Sequence, residues 1–131
     1  MRYLDYCLTY FLVDIKEPSG FDLRDFCNQL GLDYENTELF STEESIELGR
    51  NEIYDRDCNV MLRKTLKDLL GKEDILSALK EKYSLDYTLE RVPIIHTDAE
   101  ADEQIRLTLA DDIIAFMYKT GTHDDLDYFL G

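Results

Sequence analysis

The chain has 131 residues, of which 44% are hydrophobic and 33% charged, and its formal net charge is −15. This length suits a single domain, residues 1–131, and the hydrophobic content excludes a disordered chain. The acidic balance disfavours direct binding to nucleic acid or to anionic membranes and attracts basic partners.

The expected location of the protein is the cytoplasm. No apolar run approaches the about 20 residues of a membrane span, and the start, MRYLDYCLTYF, lacks the layout of a signal peptide. The cysteines are odd in number and scattered, which predicts reduced, packed thiols rather than a disulfide framework. They are Cys7, Cys27 and Cys58.

The first predicted unit is a strand followed by a capped helix. Residues 3–15 are apolar on both alternating faces, which predicts a long strand in the centre of a sheet. After a short turn, Asp22 is the predicted helix N-cap, with Phe21 stapled onto Phe26, and Gly31 ends the helix. Its predicted buried residues are Leu23, Phe26, Cys27 and Leu30.

The middle of the chain, residues 32–59, predicts strands rather than helices. Two short strands are expected at 37–41 and 45–48, with a turn at 49–51. Three acidic residues of this segment are expected to be exposed: Glu43, Glu44 and Glu47.

Helical periodicity returns near Val60 and continues to Ser84, with Gly71 as an interruption. The two predicted apolar stripes are Leu62, Leu66, Leu69 and Leu70, then Ile75, Leu76, Leu79 and Tyr83. A strand follows from residue 85. Because Pro93 lacks a ladder donor, this strand is expected to lie near an edge, to carry a bulge, or to end there.

The closing segment predicts a helix, a turn and a strand. Thr108 is the predicted N-cap, with Asp111 completing a short capping box, and Gly121 takes the left-handed position after the last turn. The apolar stripe of this helix is Leu109, Ile113, Phe116 and Met117. Alternation from residue 125 to 130 then predicts a strand.

These elements follow the order β-α-β-β-α-α-β-α-β. The order predicts an α+β fold with helices packed on one side of a twisted, mainly antiparallel sheet. Its two strand–helix–strand units are comparable to a ferredoxin-like arrangement.

Two histidines are the candidates for metal or acid–base chemistry. His96 precedes a run of carboxylates that could hold a divalent cation, but the run lacks the glycine and the terminal glutamate of an EF-hand loop. His123 precedes Asp124, Asp125 and Asp127, which could supply an imidazole–carboxylate pair, although strand alternation directs the last two towards solvent. Familiar nucleophile, phosphate-loop and zinc motifs do not occur in the sequence. The sequence therefore predicts exposed acidic segments, with no catalytic residue, metal or cofactor.

The second half of the chain resembles the bacterial family called domain of unknown function 4279. That family has an LxxKY helix end before a strand and a closing LxxxIIxFLYKTGxxxDxDxY unit. The matching residues are Leu79, Lys82, Tyr83, Leu109, Ile113, Ile114, Phe116, Tyr118, Thr120, Gly121, Asp125, Asp127 and Tyr128. The first strand and the DLRDFCNQLGL helix fit the family's opening, whereas the family's tryptophan is not matched because this chain has none. The resemblance implies a small bacterial α+β domain and brings no established activity.

The composition favours a protein that binds another protein. Nine tyrosines exceed what the core of such a chain requires, and tyrosine is favoured at interfaces; Tyr34, Tyr54 and Tyr118 are the expected exposed ones. With the acidity and the missing catalytic motifs, this predicts a non-enzymatic module, such as an immunity protein that neutralises a basic toxin. The predicted partner-binding residues are Tyr34, Glu43, Glu44, Glu47, Tyr54, Asp98, Glu100, Asp102 and Glu103.

Two other functions stay open at this point. A small enzyme or ligand-binding domain would use His96, His123 and nearby carboxylates, and would require both histidines in one pocket. A phage-encoded acidic inhibitor that mimics nucleic acid would require carboxylates at phosphate-like spacing on one face.

Overall fold

A computed structural model describes residues 3–52, 57–96, 108–126 and 129–130 and confirms the α+β class. The strands are β1 (Tyr3–Ile15), β2 (Ser45–Asn51), β3 (Leu85–His96), β4 (His123–Leu126) and β5 (Phe129–Leu130). The helices are α1 (Leu23–Leu30), α2 (Tyr34–Leu39), α3 (Cys58–Thr65), α4 (Glu73–Tyr83) and α5 (Asp111–Thr120).

The described strands form one mixed sheet in the order β2-β1-β3-β4, with β5 also paired to β3. β1 pairs antiparallel with both β2 and β3, so its predicted central position is confirmed. β4 and β5 run parallel to β3 because α5 crosses over between them, where a hairpin would have made the pair antiparallel.

The core lies on one face of the sheet, beneath the helices. Alternate residues of β1 and β3, such as Phe11, Val13 and Tyr87, are fully buried there. Phe11 contacts the rings of Tyr87 and Phe116, with ring centroids 5.2 Å and 6.0 Å apart. The buried apolar side chains of the described helices join this same core, which confirms helices on one side of the sheet.

The signals around α1 are confirmed in detail. The Asp22 side chain accepts a hydrogen bond from the Asp25 backbone N–H, and Gly31 takes the left-handed conformation with φ 68°. The Phe21 and Phe26 rings lie 5.7 Å apart, as the predicted staple requires. Each of these signals depends on residues within a few positions of one another.

The middle of the chain differs from the prediction by one strand and one helix. Residues 37–41 do not form a strand, because Asp33 caps α2 by accepting a hydrogen bond from the Glu35 backbone N–H at 3.1 Å. An isolated bridge between Ser41 and Ile46 lies beside β2. The predicted turn at 49–51 is also wrong, since β2 continues through it with a register shift opposite β1.

The N-cap prediction for α5 is wrong as well. The helix begins at Asp111, after Ala110, and Thr108 provides no side-chain cap. Asn59 of α3 caps it instead: its Oδ1 accepts from the Ala110 N–H at 2.7 Å, and its Nδ2 donates to the Thr108 carbonyl at 2.8 Å. A cap supplied from a distant helix leaves no local pattern to read, whereas Gly121, with φ 64°, ends α5 as predicted.

Two smaller expectations also require correction. β3 does not end at Pro93, because it runs on to His96 paired with β1. Pro93 falls between the residues of β3 that pair with β4 and those that pair with β5, and the register shift nearby places its extra residue in β1, between Leu4 and Tyr6. In the helical region, Leu70 and Ile75 are exposed at the margins of their predicted stripes.

Gly49 makes the closest backbone approach of the glycines in the described chain. It has φ +64°, and a Cβ placed there would lie 2.0 Å from the Thr65 carbonyl oxygen. We expect Gly49→Ala to lower the free energy of unfolding by at least about 3 kcal/mol, measured by urea denaturation, because backbone atoms must move apart. Gly71→Ala is the control, since Gly71 has φ +88° and a Cβ placed there would meet no atom within 4 Å apart from its chain neighbours. Gly71→Ala should lower the free energy of unfolding by only about 1–2 kcal/mol, the cost of the left-handed conformation. Equal losses for the two variants would contradict the role of the Thr65 contact.

Candidate functional site

Four of the predicted partner-binding residues fall within one short stretch of the described chain: Tyr34, Glu43, Glu44 and Glu47. They belong to residues 33–47, which comprise the N-cap of α2, α2 itself, its connection to β2 and the first part of β2. Five others fall outside the described residues: Tyr54, Asp98, Glu100, Asp102 and Glu103. The candidate site is therefore built from residues 33–47, here named the acidic segment.

The acidic segment has six carboxylates and no lysine or arginine: Asp33, Glu35, Glu38, Glu43, Glu44 and Glu47. Most of these side chains are exposed, whereas Glu47 is half-buried. An unbroken run of one charge sign produces a local negative potential that attracts a basic surface before contact.

Two large apolar side chains project from the same segment. Leu39 is 76% exposed and Phe40 is 52% exposed. The backbone of Phe40 is nonetheless held at both ends: its N–H donates to the Thr37 carbonyl, and its carbonyl accepts from the Glu47 N–H at 3.1 Å. These backbone hydrogen bonds therefore hold Phe40 in a position in which its side chain is exposed to solvent.

Two concave surfaces adjoin the acidic segment. The first cleft, of about 420 Å³, lies between α2, β2 and the residues after α3, and Phe40, Leu48 and Asp68 are among its lining residues. The second cleft, of about 460 Å³, includes Phe21 and Glu43. The acidic segment therefore contributes to two clefts with mixed apolar and acidic linings, and Phe40 lines the first of them.

The connection that carries Glu43 and Glu44 is ordered by Thr42. The Thr42 hydroxyl accepts hydrogen bonds from the backbone N–H groups of Glu44 and Ser45, at 3.2 Å and 3.1 Å. The Thr42 N–H donates to the Ser45 carbonyl at 2.8 Å. Such a connection loses little conformational entropy when a partner binds, because its backbone is already held.

The tyrosine predictions have mixed outcomes. Tyr118 is 88% exposed on α5, as expected. Tyr34 is half-buried, contrary to the expectation that it is exposed: it packs against the core, and the Arg24 guanidinium lies 4.2 Å from its ring centroid. Tyr34 thus acts within the chain as a platform for a cation, a contact that aromatic rings favour energetically.

Glu47 also has a cation beside it. The Arg50 guanidinium lies 3.1 Å from a Glu47 carboxylate oxygen and 2.9 Å from one of Glu52. These two carboxylates raise the pKa of Arg50, with Glu52 contributing most. Glu47 is therefore the one member of the acidic segment, within the described structure, whose carboxylate pairs with an arginine.

The backbone positions of the two histidines lie far apart in the sheet. β4 places His123 opposite Thr88, while His96 lies eight positions further along β3. At about 3.3 Å per residue, this register separates the two backbone positions by roughly 26 Å.

The carboxylates beside His123 have separate surroundings. Asp124 accepts two hydrogen bonds from the Arg91 guanidinium, at 2.9 Å and 2.7 Å, and Arg91 is only 3% exposed. Asp125 is exposed, as predicted. Sequence reasoning missed this ion pair, although Arg91 continues the alternation of buried residues Leu85, Tyr87 and Leu89, which is the signal that marks it as buried.

In residues 3–52, 57–96, 108–126 and 129–130, no three His, Cys, Asp or Glu side chains are grouped so that they could hold a metal ion. The longest described helix, α4, has 11 residues, and no helix of this part of the chain is long and apolar enough to cross a membrane. Comparisons with protein-family models, with curated proteins and with solved structures found no match.

The Arg91–Asp124 pair should be structural. We expect Asp124→Asn to lower the free energy of unfolding by about 2–3 kcal/mol, because it removes the negative charge that accepts two hydrogen bonds from a buried guanidinium. Asp125→Asn removes the same charge at an exposed position and should change stability by no more than about 0.5 kcal/mol. Thermal and urea unfolding measure both variants, and a loss for Asp125→Asn as large as that for Asp124→Asn would contradict this assignment.

Proposed function

We propose that the protein is a non-enzymatic binding module whose acidic segment docks a basic protein, in the manner of an immunity protein that neutralises a basic toxin. One observation carries this proposal: Leu39 and Phe40 are exposed side by side within a segment that holds six carboxylates and no basic residue. A few residues near the centre of an interface supply most of its binding energy, and aromatic residues such as phenylalanine are enriched in interfaces.

The charge and the apolar anchors have complementary effects in this proposal. Carboxylates around the rim accelerate the encounter with a basic partner and select against acidic ones. Leu39 and Phe40 then supply the affinity, since burying their surface contributes about 25 cal/mol for each Å² removed from water. The net charge of −15 extends the same attraction over the whole molecule.

The family resemblance supports a bacterial, cytoplasmic setting for this binding. A small α+β domain without an established activity is compatible with an inhibitor that acts by covering another protein. The described residues that carry the resemblance lie mainly on α4, α5 and β4, outside the acidic segment. The proposal assigns them to the common scaffold, with partner choice assigned to the acidic segment.

The described carboxylates favour protein binding over nucleic-acid mimicry. A mimic needs its carboxylates along one face, at phosphate-like spacing. Exposed carboxylates of the described chain instead occur on α2, α4, α5 and β4, and examples are Glu35, Asp74, Glu81, Asp111 and Asp125. Their distribution suits general solubility, with a docking function added at the acidic segment.

The proposal predicts a basic partner whose binding depends on the two apolar anchors. The intact chain, immobilised at about 50 mM NaCl, should retain a basic protein from its native host, which is then purified and titrated by calorimetry. Leu39→Ser combined with Phe40→Ser should weaken the dissociation constant at least about 100-fold, because two anchor side chains are lost. Raising the salt concentration should weaken the wild-type complex by screening its charges.

A matched control is available on α5, where Ile114 and Tyr118 are also exposed, by 48% and 88%. Replacing both with serine removes a similar apolar surface outside the acidic segment and should leave binding within about threefold. Retention of no basic protein would contradict the proposed function, as would a partner that binds the Leu39 and Phe40 double variant as tightly as the wild type.

A further inference from the structure

The face of the sheet opposite the helices has a surface of its own. Alternate residues of β1 and β3 point to this side and are half-buried, whereas their neighbours lie fully buried beneath the helices. None of the apolar residues on this side belongs to the helix-covered core. We name it the open face, and its described residues on these two strands are Leu8, Tyr10, Leu12, Asp14, Asp86, Thr88, Glu90 and Val92.

An apolar stripe runs along the open face. Leu8, Tyr10 and Leu12 follow one another at alternate positions of β1, so they extend over about 13 Å of strand. Val92 of β3 pairs with Leu8 and widens the stripe at that end. An aromatic ring between two leucines is a surface suited to aliphatic or planar cationic groups.

Carboxylates flank the stripe on both sides. The register places Glu47 of β2 opposite Leu12, and Glu90 of β3 opposite Tyr10, with Asp125 of β4 next to Glu90. The pKa of Tyr10 is raised, first by its partial burial and then by the negative charges of Glu90 and Glu47. The surroundings of the Tyr10 ring are therefore acidic.

One guanidinium already lies at this surface. The register shift at Gly49 brings Arg50 beside Tyr10, with its guanidinium carbon 5.9 Å from the ring centroid. Arg50 also forms ion pairs with Glu47 and Glu52, so the Tyr10 ring and two carboxylates surround its guanidinium. The open face is thus chemically suited to arginine, as the Arg50 contact demonstrates within the chain itself.

The open face is continuous with the acidic segment. β2 forms one edge of the described sheet, and Glu47 and Arg50 of this strand also line the first cleft, together with Phe40. A partner seated on Phe40 therefore meets the open face when it continues around the edge of β2.

We propose that the open face is a second docking surface for the basic partner, and that it takes an arginine-rich segment with at least one aliphatic residue. The aliphatic side chain would lie on Leu12, and a guanidinium would lie over Tyr10 against the carboxylate of Asp125. This inference rests on the proposed function for the class of partner, and it adds the site and the chemistry of the contacting segment.

The test uses the full chain labelled with ¹⁵N and two short synthetic peptides. In one peptide, arginine and leucine residues are separated by serine; in the other, neutral citrulline replaces each arginine. At about 50 mM NaCl, the arginine peptide should cause saturable shifts of the backbone amides of residues 8–12 and 88–92, and the citrulline peptide should cause none. Asp125→Lys should weaken this binding about tenfold because it reverses a contacting charge.

Glu81→Lys makes the same charge change at an exposed position of α4 and is the matched control, with an expected change below about twofold. Equal effects of the two variants, or equal binding of the citrulline peptide, would overturn the inference. Saturable shifts confined to residues 33–47 would overturn it too and leave the proposed function standing. If no region responds, the inference is overturned, and capture of the native partner still decides the proposed function separately.

Discussion

The burial of Phe11 between Tyr87 and Phe116 determines how the rest of the molecule is arranged. Because successive side chains of a strand alternate between faces, this contact assigns one set of β1 residues to the helix-covered core and the other set to the open face. The helices then have only one face of the sheet to cover. Both the shape of the core and the presence of a second, half-buried surface follow from that single assignment.

The acidic composition has meaning only together with the position of the apolar side chains. A net charge of −15 by itself is compatible with simple solubility. What distinguishes residues 33–47 is that Leu39 and Phe40 stay exposed among carboxylates while Thr42 and Glu47 hold the surrounding backbone. Apolar side chains that stay exposed despite the unfavourable free energy of hydrating them are typical of a binding surface.

Candidate catalytic groups have structural surroundings instead. Asp124 pairs with the buried Arg91, and the sheet register places His123 of β4 opposite Thr88, eight positions from His96 along β3. The acidic run that begins at His123 thus divides between stabilising the sheet at Asp124 and facing solvent at Asp125.

The sequence by itself determined the elements whose signals are local: the cap at Asp22, the left-handed endings at Gly31 and Gly121, and the alternation of β1. Of the candidate site, it identified Glu43, Glu44 and Glu47. It missed the other three carboxylates and the exposed Leu39 and Phe40, because residues 37–41 were predicted to form a strand. Tertiary structure alone decided the features whose partners are distant along the chain. Asn59 caps a helix 51 residues away, Arg91 pairs with a carboxylate 33 residues away, and Gly49 lies against the backbone of Thr65. The physical reason is that caps, turns and strand periodicity act between neighbours in sequence, whereas these three contacts exist only after the helices have packed on the sheet.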